Sequence, residues 1–227
     1  SDAHSLPNLG RETTQFCLPK NYTYQDIQTA LKTQYLEKEE NKPHIKQTVE
    51  FYPQEGKYHY TGHRKCDVSH NPKQTQKLGT TCPVCGRSLT VGVKHQVTKH
   101  SRKQKIKPET KIDQGIQKYF HPKKIHPPYI KLIPLAEIIS ETENVGVKTK
   151  TVNTIYSQAI KEFSNELNIL TQVPVKDLEK ELGAKIAEGI NKNRLGEVQI
   201  TPGFDGRYGK VKIWEKDQRP QVQKGLF

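Results

Sequence analysis

The sequence predicts an α+β protein assembled from small modules, and three observations carry that reading. Apolar residues recur at spacings of three and four through much of the stretch after Ile133. Short strand-like runs rich in Val, Ile, Thr and aromatic residues lie to either side of a Cys-containing segment. That segment holds paired metal-ligand residues, so a zinc-ribbon-like module is expected ahead of a mainly helical C-terminal domain with a short β-hairpin.

Residues 1–22 are rich in Gly, Pro, Asn and Ser and read as a loop. Thr23 with Asp26 has the form of a capping pair, and Ile27, Ala30, Leu31 and Tyr35 follow at helical spacing, which predicts a helix over about 24–39. VEFYP (49–53) and KYHY (57–60) flank PQEG and predict a hairpin; SLTVGVKHQV, after the second cysteine pair, reads as strand. Eleven Lys/Arg from Lys94 to Lys131 face only Glu109 and Asp113, and with four prolines this segment reads as an extended basic connector. IPLAEIISE opens a helical region, and Val152, Ile155, Tyr156, Ala159, Ile160, Phe163 and Leu167 form an amphipathic helix. Pro174 is placed to start another, continued by Leu178, Leu182, Ile186 and Ile190 to about Arg194 with a break near Gly183. EVQITPGFDGRYGKVKIW closes the ordered text as two short strands around a Gly-rich turn.

Over 227 residues, 37 Lys and Arg outweigh 24 Asp and Glu, a net charge of +13 that argues for a polyanionic partner, with nucleic acid first. Hydrophobic residues are 32% of the chain, mean hydropathy is −0.84, and no apolar stretch approaches the roughly 18 residues that span a bilayer, so neither membrane insertion nor a secretory signal is expected. Three of the four cysteines cluster around a CxxC pair, which reads as metal binding in a reducing, cytoplasmic compartment rather than as a disulfide framework. The chain contains no methionine and opens on Ser-Asp-Ala-His, and the expectation is that part of a longer protein precedes it.

His63-x-x-Cys66, fifteen residues, then Cys82-x-x-Cys85 makes two ligand pairs of the kind that build a tetrahedral zinc site. A two-residue gap lets one turn present both side chains, and Gly86 frees the backbone to turn its N–H groups toward the thiolates. His59, His70, His95 and Cys17 compete for the fourth position; His63 is favoured because it alone restores the paired spacing. Four protein ligands make a closed, structural site. At the N-terminus, Asp2-Ala3-His4 puts a carboxylate and an imidazole on one side of an extended segment, a pair able to hold a divalent metal that activates water. On its own the pair is also what a solvated turn would carry.

Taken in order, SDAHS, LGRE, VEFYPQEGKYHYTGHRKC, CPVCG, LTVGVKH, IPLAEII, AEGI and PGFDGRYG closely resemble the endonuclease Q family, whose members join a PHP (polymerase and histidinol phosphatase) domain to a zinc domain and a C-terminal domain. The resemblance covers essentially the whole chain as the latter half of a family member. It implies the C-terminal edge of a PHP domain, a distorted β/α barrel, and a metal-dependent phosphodiesterase that nicks DNA 5′ of deaminated bases or abasic sites. By the same resemblance Asp2 and His4 are PHP metal ligands, for Zn, Mn or Mg. Arg11 is a candidate phosphate contact, with an ion pair to a carboxylate as the competing reading. The earlier PHP motifs are expected ahead of Ser1, so the chain alone is expected to be catalytically incomplete. The domains implied are 1–54 (end of PHP), 55–100 (zinc module), 101–131 (basic connector), 132–216 (C-terminal DNA-binding domain) and 217–227 (tail).

DNA contacts are expected from Lys103, Lys105, Lys107, Lys123 and Lys124, and from Arg207 in PGFDGRYG, unless that loop is simply a tight hairpin capping a core. The last five residues, Gln223 to Phe227, resemble the pentapeptide by which bacterial repair enzymes dock on the replication sliding clamp, with Gln223 setting register and Leu226 and Phe227 filling pockets, or else folding back as an end plug. No GxxxxGK[ST] is present, so no nucleotide-driven motor is expected in this segment. The expected place of action is the cytoplasm, at the nucleoid. Two other functions compete: a non-catalytic zinc-ribbon nucleic-acid-binding protein, and a PHP phosphatase acting on a small phosphate ester.

Overall fold

The computed structural model describes residues 3–6, 9–33, 41–101 and 107–214. Its elements run β1 (Thr13–Cys17), α1 (Tyr24–Lys32), β2 (His44–Glu50), β3 (Thr61–His63), β4 (Val68–His70), α2 (Pro72–Leu78), α3 (Val93–His100), β5 (Glu109–Asp113), β6 (Ile116–Phe120), β7 (Tyr129–Lys131), α4 (Leu135–Thr142), α5 (Lys150–Phe163), α6 (Glu166–Thr171), α7 (Val175–Leu182), α8 (Ala184–Leu195), β8 (Gln199–Thr201) and β9 (Lys210–Lys212). The α+β class read from the sequence stands. Among the described residues no helix is long and apolar enough to cross a membrane. The chain divides into two compact units: the described residues within 3–51 and 107–197 form the first, and those within 52–101 and 198–214 the second. These boundaries differ from the linear segmentation expected from sequence, because backbone pairing joins stretches far apart in the chain.

In the first unit a five-stranded sheet runs in the order β1-β2-β7-β6-β5, antiparallel except for the parallel β2–β7 pair. Helix α1 packs against β2 and begins on the expected capping box, in which the Thr23 N–H donates to Asp26 Oδ2 at 2.7 Å. Two expectations are corrected here. VEFYP and KYHY form no hairpin, since β2 pairs with β1 and β7, and Pro53–Glu55 is a 3-10 turn. The basic connector is not extended linker over 109–131, because it supplies three strands of the sheet. Gln114 and Gly115 both take positive φ in the two-residue turn between β5 and β6, as a tight hairpin with right-handed twist requires.

Five helices complete this unit, with α4 packed on α5 and α8, and α7 on α8. Leu135, Ile138, Ile139, Val152, Ile169, Leu178 and Ile190 are fully or almost fully buried, each contributing about 1.5–3 kcal/mol as burial of an aliphatic side chain does. The helix expected to run from Val152 through Leu167 is broken at Ser164, which takes φ 73°, and α6 restarts on Asn165, whose side chain accepts from the Asn168 N–H. Pro174 caps α7 and Gly183 ends it, as the sequence predicts.

Two buried side chains from the last turn of α8 hold the assembly. Asn193 accepts from the Ile133 N–H at 2.9 Å and donates to the Ile133 carbonyl at 3.2 Å, so its amide serves as a strand partner just after β7. Arg194 donates to the carbonyls of Ile169, Leu170 and Val173 at 2.7–3.0 Å, closing the C-terminal end of α6, where carbonyls lack helical partners and partial negative charge favours a cation. Burial pushes its guanidinium below the ordinary value, and an arginine side chain keeps its charge inside a protein. Arg194→Met keeps the aliphatic stem but orphans three carbonyls. Urea unfolding should show a loss of about 3 kcal/mol, the scale of a buried charged hydrogen-bond set left half made.

Candidate metal centre

The second unit is built around a short hairpin. His63 ends β3, the chain turns through Arg64–Cys66 in one 3-10 turn, and Asp67 in left-handed conformation (φ 54°) sends it back as β4. One turn therefore presents both residues of the first pair. In the second pair the Cys82 carbonyl accepts from the Gly86 N–H at 2.9 Å, and the Cys82 N–H donates to the Arg87 carbonyl at 2.7 Å. Gly86 sits at φ 72°, a conformation that a side chain disfavours, which gives CPVCG its glycine.

The ligand atoms of His63, Cys66, Cys82 and Cys85 all lie within 4.8 Å of one another, and His63 Nδ1 is 3.4 Å from Cys85 Sγ. A tetrahedral ion with ordinary Zn–S and Zn–N bonds would set that edge at about 3.6 Å, so the donor set fits a metal such as zinc. His59, His70, His95 and Cys17 are not in the cluster. Burial raises the Cys66 thiol first, aided by its neighbours Cys85 and Cys82, to about 11. Burial also works to raise Cys82, but the N–H groups of Cys85 and Val84, with His63 and Cys85, outweigh it and bring the thiol down to about 6. One thiol is thus predisposed to ionise, while its partner must release its proton to solvent when a cation binds.

PGFDGRYG fastens this unit. Its flanking strands β8 and β9 pair, and Gly203, Gly206 and Gly209 donate N–H groups to the carbonyls of Gln54, Lys57 and Glu55. A Cβ on Gly209 would collide with the Gln54 carbonyl, so this approach admits only glycine. Asp205 accepts from the Arg64 N–H at 2.7 Å and from the Thr90 hydroxyl, tying the loop to the backbone next to His63. Arg207 pairs with Asp67 at 2.6 Å and lies over the Phe204 ring. These partners were not legible in the sequence, although the three glycines were.

The Thr90 hydroxyl, ahead of the Arg64 N–H, holds the Asp205 carboxyl below its ordinary 3.8. A depressed carboxylate stabilises the fold fully above the ordinary value, and the contribution is lost as pH falls through the folded one. Asp205→Ala should therefore lower the thermal midpoint of the second unit at neutral pH, with the deficit closing in strong acid. Melts of both proteins across that range check the sign.

The remaining expected residues are dispersed. His4 is exposed, and Asp2 lies outside the described residues. Arg11 makes an ion pair with Glu137 beside a cavity of about 350 Å³, which is the carboxylate partner considered from sequence. Lys107, Lys123 and Lys124 are exposed, whereas Lys103, Lys105 and the tail with Gln223, Leu226 and Phe227 lie outside the described residues. Tyr119 and Tyr129 stack at 4.8 Å between ring centres, with Lys131 over both, a pair that no spacing in the sequence announced.

Residues 134–197, the stretch holding α4 to α8, match the family described as the MJ0043 C-terminal domain. The uncharacterized protein MJ0043 of Methanocaldococcus jannaschii is 36% identical over 219 residues, covering 93% of this chain and 24% of that protein. The uncharacterized protein YqxK of Bacillus subtilis is 27% identical over 213 residues, covering 93% of this chain and 45% of its own. Two crystal structures match at 26% identity. One is the lesion-specific endonuclease PfuEndoQ from Pyrococcus furiosus, with a TM-score of 0.73 over 94% of this chain and 48% of that one. The other is endonuclease Q in complex with a 27-mer duplex substrate that has an abasic lesion at the active site, with a TM-score of 0.69 over 96% and 49%. The chain spans between about a quarter and a half of the length of these relatives.

Proposed function

We propose that this chain, a structural counterpart of about half of endonuclease Q, works as part of a DNA repair endonuclease. The observation that supports this most is the near full-length match at TM-scores of 0.73 and 0.69 to solved endonuclease Q structures, one of them bound to duplex DNA. The finer reading is a nick on the 5′ side of a deaminated base or abasic site, with the damaged nucleotide turned out of the stack to bring its phosphate to the chemistry. Asp2 and His4 would belong to a PHP-type metal site, where divalent cations supply an activated water.

The chain's own residues have separate tasks in this reading. The His63–Cys66–Cys82–Cys85 cluster fits a structural zinc, with all four positions taken by protein and none open to substrate. Eleven Lys and Arg among the described residues of the second unit, against three Asp and Glu, concentrate attraction for phosphate there. Lys103, Lys105, Lys107, Lys123, Lys124 and Arg207 remain proposed contacts. The tail carrying Gln223, Leu226 and Phe227 is proposed to dock on a sliding clamp, and the place of action to be the nucleoid. The test is incubation of the full-length protein with uracil-, hypoxanthine- and abasic-containing duplexes, followed by mapping of the nick. Binding without any nick would favour the non-catalytic zinc-ribbon reading.

A further inference from the structure

A cavity of about 510 Å³ opens within the second unit, lined by Tyr58, Val93, Val97 and Tyr208 with Lys57 and Lys94 among them, and no carboxylate among its described lining residues. Such a volume is in the usual range of ligand pockets. The apolar groups are unusually bare for their type: Tyr208 is 68% exposed, Val93 58% and Val97 56%. They are nevertheless held on a fixed frame. The Val93 N–H donates to the Tyr58 carbonyl at 2.8 Å, the Lys94 N–H to that of His59 at 3.0 Å, and the Gly206 N–H to that of Lys57 at 2.9 Å. Exposed, immobilised apolar faces of this kind mark a surface built for a guest.

The chemistry of the guest follows from the lining. Lys57 Nζ stands 5.5 Å from the centre of the Tyr58 ring and 5.7 Å from that of Tyr208, so an ammonium occupies the faces that a flat, π-rich group would cover. Burial, and then the charge of Lys94, holds His59 below its ordinary value, which disfavours a third cation beside Lys57 and Lys94. An aromatic group alone would satisfy the rings and leave the lysines unused; an anion alone would leave the valines and tyrosines bare. A nucleotide has both parts.

We propose that this cavity takes one unpaired nucleobase of a DNA strand, stacked on Tyr208, the more exposed of the two rings, with Lys57 and Lys94 moved onto the flanking phosphates. The base must be unpaired, because an intact duplex offers base edges and keeps its faces stacked internally. Selectivity among bases should be slight, since each presents a π face. This subsite rests on the reading that the chain acts on DNA, and it grips a nucleotide without taking part in phosphodiester chemistry.

The test uses the 227-residue chain with a single-stranded oligonucleotide carrying one 2-aminopurine, and with the same strand lacking bases. Wild type and Tyr208→Phe should quench the 2-aminopurine and prefer the base-bearing strand by about ten-fold, the scale of one stacking contact. Tyr208→Ala should lose both quenching and preference while retaining its metal and its affinity for intact duplex. Lys57→Gln with Lys94→Gln should flatten the salt dependence by the equivalent of about two phosphate contacts. Wild-type quenching and preference in Tyr208→Ala would overturn the proposal, as would wild-type binding indifferent to base removal, which describes a phosphate-only surface or a cavity kept for a protein partner. Base-dependent binding with no nicking by the full-length protein would instead count against the endonuclease alone.

Discussion

Cys82→Ser is expected to bring the metal content of the purified chain from about one zinc to near none and to melt the second unit while the first keeps its helices. Among the described residues the cluster consists of these four donors and no fifth, so loss of a thiolate leaves the ion three of its protein ligands. Cys82 is also the buried member, only 1% exposed, and its thiol is the one already brought down to about 6. Zinc affinity should fall more than about a hundred-fold, beyond what loss of an outer-shell partner costs. In the wild type, affinity should weaken as pH falls, because each ligand must be deprotonated to bind, and most steeply below about 6, where Cys82 also takes a proton. Chelator competition at a series of pH values measures this. Full zinc occupancy in Cys82→Ser would remove the cluster from consideration.

In the full-length protein, His4→Ala or Asp2→Ala should abolish nicking of lesion-bearing duplex by a factor of about a thousand or more, the scale on which loss of metal-activated water is felt. Binding to the same duplex should persist within a few-fold, because affinity is carried by cations facing phosphate and neither residue is one. The separation of the two effects is the informative outcome. Gel-based cleavage and anisotropy on one set of substrates supply both numbers, and wild-type cleavage by His4→Ala would remove the metal-ligand role.

Local chemistry explains which parts were legible. Thr23 with Asp26, Pro174, Gly183 and the CPVCG knuckle are decided by contacts within a few residues, so their signals are complete in the text. SLTVGVKHQV (88–97) reads as strand because Leu89, Val91 and Val93 alternate and Val93 and Val97 are β-branched; from Val93 onward it is instead a helix whose first N–H groups are taken by the Tyr58 and His59 carbonyls, partners thirty-five residues away. β5 was hidden for the opposite reason. All five of its residues are exposed, so it lies in the sheet with no alternation for a pattern to detect. Only the Gln114-Gly115 turn marked it. At the metal centre the four donors came from spacing, whereas the bonds of Asp205 to Arg64 and Thr90 span more than a hundred residues and had no local trace.

The division of the second unit into two stretches sets an order of events during synthesis. All four metal donors have left the ribosome's tunnel before the first unit is finished, but PGFDGRYG follows Cys85 by more than a hundred residues. At bacterial-to-eukaryotic elongation speeds that gap lasts on the order of ten seconds. Through that interval the nascent hairpin has its thiols in place and lacks the strands that brace them, so capture of the ion, rather than the brace, is what can hold the early half in shape. Starving cells of zinc should accordingly injure the newborn chain more than the mature one.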